Sequence, residues 1–448
     1  MTDQVCEIGQ TQPEPEQPEQ PQRRLPRALT PFRHAAYRRL AVALVLQMFA
    51  GGVWIVALVW EVIRIGGGPG ELSLVTTAGA VGVLFPALLA GVVADRVPQK
   101  TILLFVGALE AAGMTAVAVL SFADHTELWH LGVVTFVLGM AMAFYYPAYS
   151  AWLPALVPKS DLMAVNGFEG MVRPTLAQAV GPGVAGAIVG VASSSAAVTV
   201  AAVGTALGLL ALTAVPKTAV RRAPVADGEV GEGGAPAPGP TSALADMREG
   251  FLYMVRTPWL LATLLFASIM ILAIMGPLEV LMPFLIKDRL GGGPGDHALV
   301  LAAFGIGGAL GSLAMASFPM PRRYLTVMNV MWGVGCLPFL VMGIATAVWQ
   351  VVAAAFILGA MFSAPMVIWG TLLQRRVPAH MLGRVASLDF FVSISLMPVS
   401  MALAGPVSEL IGIRSTFLIA AVVPGIAAVV ATVWAKLPAD EIAHPLRD

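Results

Sequence analysis

The chain has 448 residues, 58% of them from the apolar set AVILMFWYC and only 12% charged, with a mean hydropathy of +0.82. This lies outside the range of soluble domains and predicts an integral membrane protein. Acidic and basic residues balance, so no basic footprint points to nucleic acid. Cys6 in a polar tail and Cys336 in an apolar run support neither a disulfide nor a thiolate metal site.

Residues 1–35 contain PEPEQPEQPQRRLPR and lack the apolar core of a signal peptide, so they are read as a disordered tail. A bilayer core about 30 Å thick needs about 20 mainly apolar residues per helix. Twelve stretches qualify, near 40–63, 72–94, 101–122, 129–153, 166–191, 195–215, 257–286, 297–318, 325–345, 348–373, 385–410 and 415–436. The fifth and sixth nearly touch at VASSS. The Pro/Gly-rich stretch RRAPVADGEVGEGGAPAPGPTS marks a linker over 217–250. It separates a six-span half at 36–216 from another at 251–437, which leaves 438–448 as a short tail.

RIGGGPGELSLV (64–75) and RLGGGPGDHALV (289–300) share eight of twelve residues at an offset of 225. LVPKSDLMAVNGFE (156–169) and RVPAHMLGRVASLD (376–389) align without gaps at an offset of 220, pairing Glu169 with Asp389. Both GGGPG copies fall between the first and second spans of their own half. The halves are therefore parallel repeats, an arrangement that places a substrate site near the midplane where they meet. Of the Lys and Arg residues, 21 lie on the side of the termini and four on the other, with Arg173 inside a span. This predicts cytoplasmic termini.

Carboxylates at lipid depth cost about 2.5–3.5 kcal/mol each, so every one needs a reason. Glu61 is read as reaching the outer interface. Glu169 precedes Arg173 by four residues, which predicts an intrahelical pair. Glu110, in the third span, and Glu279, in the seventh, have no basic residue within a turn and are the candidate proton carriers. A carboxyl group that alternates between dry and wet surroundings binds and releases a proton as it does so.

After the second span, GVVADRVPQK (91–100) places Asp95, Arg96 and Lys100 at a helix edge. Positive-inside anchoring accounts for the basic residues but not for the acid before them. Gly91 permits close helix approach, and Asp95 suits the positive end of another helix or a basic residue, which makes this phrase a cytoplasmic latch. Asp389 is expected to join it through Arg384. In the fourth span, AFYYPAYSAWLP supplies Tyr145, Tyr146 and Tyr149, and the offset of 220 pairs Tyr149 with Trp369. Interfacial anchoring is the plain alternative for Tyr149 and Trp152. With Gln47, Trp54 and Met275, these aromatics suit a cavity for a large amphipathic molecule. AVGPGVAGAIVG in the fifth span predicts a small-residue packing face at Gly183, Gly186 and Gly190, and a bend at Pro182.

The phrase Gly91-x-x-Ala94-Asp95-Arg96-x-x-x-Lys100 resembles the signature loop of the major facilitator superfamily. The segments MPFLIKDRLGGGPGDHALVLAAFGIGGALGSL, QRRVPAHMLGRVASL and AGPVSELIGIR are similar to the branch that holds enterobactin-type siderophore exporters and multidrug efflux proteins. The resemblance spans the whole chain. It implies an all-α membrane fold of twelve transmembrane helices in two six-helix halves related by a pseudo-twofold axis, the major facilitator fold. It also implies a central cavity built by the first, fourth, seventh and tenth spans, and a loop that stabilises the outward-facing state by bringing Asp95 to the start of the eleventh span near Gly383 and Arg384. Gly181, Pro182 and Gly186 resemble the Gly-Pro signature of superfamily antiporters, with Ala185 where a glycine is expected.

The sequence has no GK dipeptide, which excludes a phosphate-binding loop and leaves secondary transport. Its six histidines, at 34, 125, 130, 297, 380 and 444, show no metal-ligand spacing. The expected function is proton-driven export of small amphipathic molecules across the cytoplasmic membrane, by a chain that is not an enzyme, needs no cofactor or metal and works as a monomer in the lipid bilayer. A dedicated exporter of one metabolite, such as a siderophore, is the alternative within transport, and a non-transporting membrane sensor or partner protein is the alternative outside it.

Overall fold

The computed structural model describes residues 27–86, 90, 93, 97–158, 161–216, 243–378 and 382–446. Every regular element among them is helical. After a 3-10 segment, Arg27–Arg33, the elements are α1 (Ala35–Arg64), α2 (Pro69–Leu84), α3 (Gln99–Phe122), α4 (Leu128–Trp152), α5 (Leu162–Arg173), α6 (Gly181–Val191) and α7 (Ser194–Thr213). The second part of the chain forms α8 (Ala243–Arg256), α9 (Pro258–Gly276), α10 (Pro294–Ser317), α11 (Tyr324–Gly335), α12 (Pro338–Ile344), α13 (Val348–Arg376), α14 (Leu382–Ser395), α15 (Met397–Trp434) and α16 (Leu437–Ala443).

Ten helical runs among the described residues are long and apolar enough to cross a membrane. One of them, Phe391–Trp434, covers two expected spans and turns between them at Gly412, whose φ of 84° is open to glycine without strain. The fifth and sixth spans divide at Ser193, whose hydroxyl accepts the Ala196 N–H at 3.1 Å and caps α7. The second expected span is described only as far as α2 and its immediate continuation.

The duplicated GGGPG phrase folds the same way twice. Gly66 and Gly291 take positive φ (86° and 66°), and Pro69 and Pro294 begin α2 and α10, where a missing N–H costs nothing. Glu71 accepts the Gly68 N–H and Asp296 the Gly293 N–H, each at 2.8 Å. Each element of the loop thus recurs at the offset of 225.

Glycine contacts repeat in the same registers. A Cβ at Gly82 on α2 would lie 2.2 Å from the Phe136 carbonyl oxygen on α4, and one at Gly307 on α10 would lie 2.0 Å from that of Phe356 on α13. The reciprocal glycines, Gly139 and Gly359, meet Gly79 O at 2.2 Å and Phe304 O at 2.0 Å. Backbones approach this closely only where side chains are absent, and such contact is what drives helix association in lipid. Gly307→Val should therefore prevent α10 from seating on α13. Size-exclusion chromatography of the detergent-solubilised protein should show loss of the monodisperse species, while Gly295→Ala, where no atom lies within 4 Å, should leave it intact.

The described parts of the stretches read as tails and linker are helical and packed on the bundle. α8 begins inside the stretch read as linker and packs on α9 and α14. At the N-terminus, Thr30 donates to Asp161 at 3.2 Å and His34 bonds the same carboxylate at 3.0 Å. At the C-terminus α16 folds back, so that buried Glu441 accepts the Leu325 and Thr326 N–H groups at 3.0 and 3.1 Å. A carboxylate there satisfies orphan donors of α11 and complements the helix dipole. Short polar-rich segments gave no apolar period from which these contacts could be read.

Candidate functional site

Inside the N-terminal half, Gln47 on α1 donates its side-chain N–H to the Glu110 carboxylate on α3. Beside this pair is a cavity of about 20 Å³, and the polar side chains lining it are Gln47, Tyr145 and Tyr149. The two tyrosine rings stack one helical turn apart on α4, with centroids 5.6 Å apart and planes 13° from parallel. Tyr149 O–H then donates to Glu169 Oε1 on α5 at 2.5 Å, a charge-assisted bond that crosses between spans.

The C-terminal half repeats that pair in different chemistry. Trp369 Nε1–H on α13 donates to Asp389 Oδ2 on α14 at 3.0 Å. Both partners stand at the offset of 220 from Tyr149 and Glu169. Trp369 also meets Trp259 edge-on at 6.2 Å, and the Arg376 guanidinium lies 4.7 Å above the Trp259 ring while pairing with Asp440 on α16. Glu169 and Arg173, expected to pair, do not come into direct ion-pair contact; the Glu169 carboxylate is bonded by Tyr149, with Arg173 close enough to act on it electrostatically.

The halves meet at the end of the bundle that carries the GGGPG loops. Gly405 N–H on α15 donates to Ser73 Oγ on α2 at 2.8 Å, and a Cβ at Gly405 would lie 2.7 Å from Gly70 Cα. On the other side of the molecule, a Cβ at Gly186 on α6 would meet Ala298 Cβ at 2.7 Å and Pro294 O at 2.8 Å on α10. Gly181 and Pro182 instead pack on Gly52 of α1, within their own half. The predicted face of Gly183, Gly186 and Gly190 is thus corrected, since Gly183 and Gly190 are exposed with no atom within 4 Å. At about 100° per residue, 183, 186 and 190 lie within about 60° of one another, so Gly186 stands at the edge of the packed side that 181, 182 and 185 continue, and the exposed side begins just past it. Among the described residues, π-helical segments of seven, five and five residues, Pro174–Val180, Pro277–Leu281 and Leu285–Arg289, interrupt the fifth and seventh spans. Such turns are rare and concentrate at functional sites.

The seven cavity candidates do not form one group. Tyr145 and Tyr149 belong to an apolar cluster within the N-terminal half, which also contains Tyr37. Trp54 and Trp369 belong to the larger cluster shared by both halves, with Met275 packed against it. Tyr146 is helical, but its side chain lies outside the described residues, as does that of Arg384; Gly91, Asp95 and Arg96 lie outside them altogether. Lys100 is buried, and its ammonium group bonds Thr213 O at 2.8 Å and Val215 O, which caps the C-terminal end of α7 within its own half. Glu279, on the π-helical turn, is exposed and has no hydrogen bond or ion pair among the described residues.

Glu61 corrects another expectation. It does not reach outward but is fully buried, bonded by Arg64 at 2.8 and 3.1 Å and by Ser194 Oγ at 2.7 Å. Arg64 stands three residues along the same helix, a spacing that signals such a pair, whereas Ser194 arrives from another span. Among the described residues no group of three or more His, Cys, Asp or Glu side chains could hold a metal ion.

The family description "transmembrane secretion effector" matches residues 27–446, nearly the whole chain. The chain belongs to this family of the major facilitator superfamily. The multidrug efflux pump Tap of Mycolicibacterium fortuitum is 26% identical over 381 residues, covering 82% of this chain and 88% of that protein. The macrolide efflux protein A of Streptococcus pyogenes is 23% identical over 360 residues, covering 78% and 83%. Among solved structures, the nucleoside transporter NupG superposes with a TM-score of 0.67 at 13% identity, over 90% of this chain and 99% of that one. A POT family transporter in complex with 5-aminolevulinic acid gives 0.68 at 14% identity, over 89% and 96%. These two likenesses establish the fold, the helical two-half architecture of superfamily transporters.

Proposed function

We propose that this protein exports small amphipathic molecules across the cytoplasmic membrane by alternating access and exchanges them for protons. The observation that carries this reading is similarity along most of the chain to a multidrug pump and a macrolide efflux protein, each covered over more than four-fifths of its own length. The geometry is consistent with it. The inter-half hydrogen bond of Gly405 with Ser73 and the close packing of Gly186 on Pro294 lie at the GGGPG end, and a rocking motion breaks and remakes both. The side-chain excess of Lys and Arg at the opposite end supports termini on the cytoplasmic side. Closure at the GGGPG end then describes a conformation shut to the outside.

In this reading Trp54, Met275 and Trp369, which belong to or pack against the apolar cluster that both halves build, offer apolar surface to the substrate, and Glu279 has no hydrogen bond or ion pair among the described residues. Glu110 is the acid that carries the coupled proton, within the N-terminal half and away from the substrate.

The test is accumulation of a panel of amphipathic dyes, macrolides and siderophores in cells with and without the protein, each with and without a protonophore. Lower accumulation that disappears with the protonophore is expected for at least one dye or macrolide. A response confined to one siderophore would replace the broad substrate range with dedicated export, and no response across the panel would sink the export reading.

A further inference from the structure

Resting on the proton-antiport reading above, we propose that Glu110, a water in the adjacent cavity, Tyr149 and Glu169 form a proton path inside the N-terminal half, with no counterpart in the C-terminal half. The two repeated pairs differ in one chemical respect. A tyrosine hydroxyl both donates and accepts hydrogen bonds, whereas an indole N–H only donates. Tyr149 can therefore take a proton on one side and give one up to Glu169 on the other. Trp369 holds Asp389 in the same position but cannot pass a proton to it, so this pair fastens α13 to α14; the hydroxyl that does reach Asp389, Ser393 Oγ at 3.3 Å, stands one turn along the same helix and leads to no second helix as Tyr149 does.

Three observations place the path. The Gln47 amide ties Glu110 to the cavity wall, and Glu110 stands one turn beyond Gly107, which lines that wall. The cavity, about 20 Å³, has room for one water, and Gln47, Tyr145 and Tyr149 line it, which puts polar side chains beside a water there. Tyr37, in the same cluster as Tyr149, has a buried hydroxyl with no hydrogen-bond partner among the described residues. Such a group is normally satisfied, and a water entering between Tyr37 and Glu169 would satisfy it and continue the path toward the termini.

The transfer balances. The Glu110 carboxyl gives its proton to the cavity water, the water gives one of its own to the Tyr149 oxygen, and Tyr149 gives its hydroxyl proton to Glu169. Each O–H bond broken is matched by one formed, and one proton moves from Glu110 to Glu169. The surroundings contain few competing charges. Glu110 is faced by Gln47 from α1 and by the tyrosines from α4, and α7 contributes no titratable side chain. Near Glu169 stand Tyr149, Tyr37 and, one turn along the same span, Arg173; the His34–Asp161 pair lies at the terminal end of the same helix.

The test uses the full-length chain in liposomes of phosphatidylethanolamine and phosphatidylglycerol, with ethidium as probe. Accumulation driven by an imposed pH gradient is compared with ethidium exchange in the absence of any gradient. Tyr149→Phe and Glu169→Gln should each lower gradient-driven accumulation about tenfold or more while exchange falls less than about threefold, because only the proton's route is cut. Trp369→Phe should lower both by the same factor. Gradient-driven accumulation at the wild-type rate in both Tyr149→Phe and Glu169→Gln would overturn the path. If wild-type transport ignores the pH gradient, proton antiport itself fails and the path with it, a distinguishable result. Infrared titration of the same liposomes needs no substrate: the carboxyl band removed by Glu110→Gln should change in Tyr149→Phe, and an identical band in the two proteins would also overturn the proposal.

Discussion

Gly186→Leu should arrest transport while leaving each half folded. The Cβ alone would sit 2.7 Å from Ala298 Cβ and 2.8 Å from the Pro294 carbonyl oxygen, and three further carbons have nowhere to go. Pro294 cannot yield easily, because it starts α10 beneath the Gly293–Asp296 cap. The halves must separate at that point instead. Overpacking costs about 1–3 kcal/mol, which would lower the population of the closed conformation by about five- to 150-fold. Both gradient-driven transport and passive exchange should fall by a similar factor, since every cycle passes through closure. A cysteine at Ser73, on the facing contact and 1% exposed, reports the cause. In a background with Cys6 replaced and Cys336 buried, a membrane-impermeant maleimide should label Ser73→Cys slowly in the otherwise native protein and rapidly with Gly186→Leu. Equal labelling rates would mean that the Gly186 contact does not govern closure.

The second large effect is expected at Glu110→Gln. The glutamine keeps the shape of the side chain, and its amide oxygen can still accept the Gln47 N–H, so the packing of α1 on α3 survives. What it loses is a proton that can be bound and released. Accumulation against a gradient should fall to the level of membranes without the protein, while exchange persists. Glu110→Asp should restore part of the driven transport, because a carboxyl group returns about one methylene short of its place. Glu279→Gln separates the two candidate acids. Glu279 has no polar partner among the described residues, so no connected chain of groups leads from it to either end, and its replacement should alter driven transport less than Glu110→Gln does. The reverse order would move the coupling site to the seventh span.

How much of this was legible in the sequence depended on the range of the interaction. The spans and their division into halves follow from apolar length and one Pro/Gly-rich linker, both local properties. The offsets of 225 and 220 marked Gly66 with Gly291, and Tyr149 with Trp369, before any contact was known. That Tyr149 bonds Glu169, and Trp369 bonds Asp389, was not legible, because each bond joins two helices whose relative rotation no single-helix pattern records. The same limit explains why Glu169 and Arg173 make no direct contact: spacing identified a possible partner, but a neighbouring span supplied the direct bond. Glu61 failed more instructively. Its partner Arg64 was within reach of a local reading, yet the burial that makes the pair necessary is supplied by the adjacent Ser194 and its helix. Of the small-residue face, Gly186 packs on α10 while Gly183 and Gly190, within about 60° of it around the helix, stay exposed, because the neighbouring helix decides how much of a face is covered. The Gln47–Glu110 contact joined two residues that had been assigned to different roles, one to substrate and one to protons.

The central claim, that substrate leaves in exchange for protons, is tested most directly by recording both fluxes at once in liposomes holding the full-length protein, with ethidium outside and a pH-sensitive dye inside. Adding ethidium with no imposed pH gradient should drive it inward and move protons outward, so that the lumen becomes alkaline, and Glu110→Gln should abolish the proton signal while ethidium still enters. Ethidium entry without any change in luminal pH in the wild-type protein, or with acidification, would contradict the account.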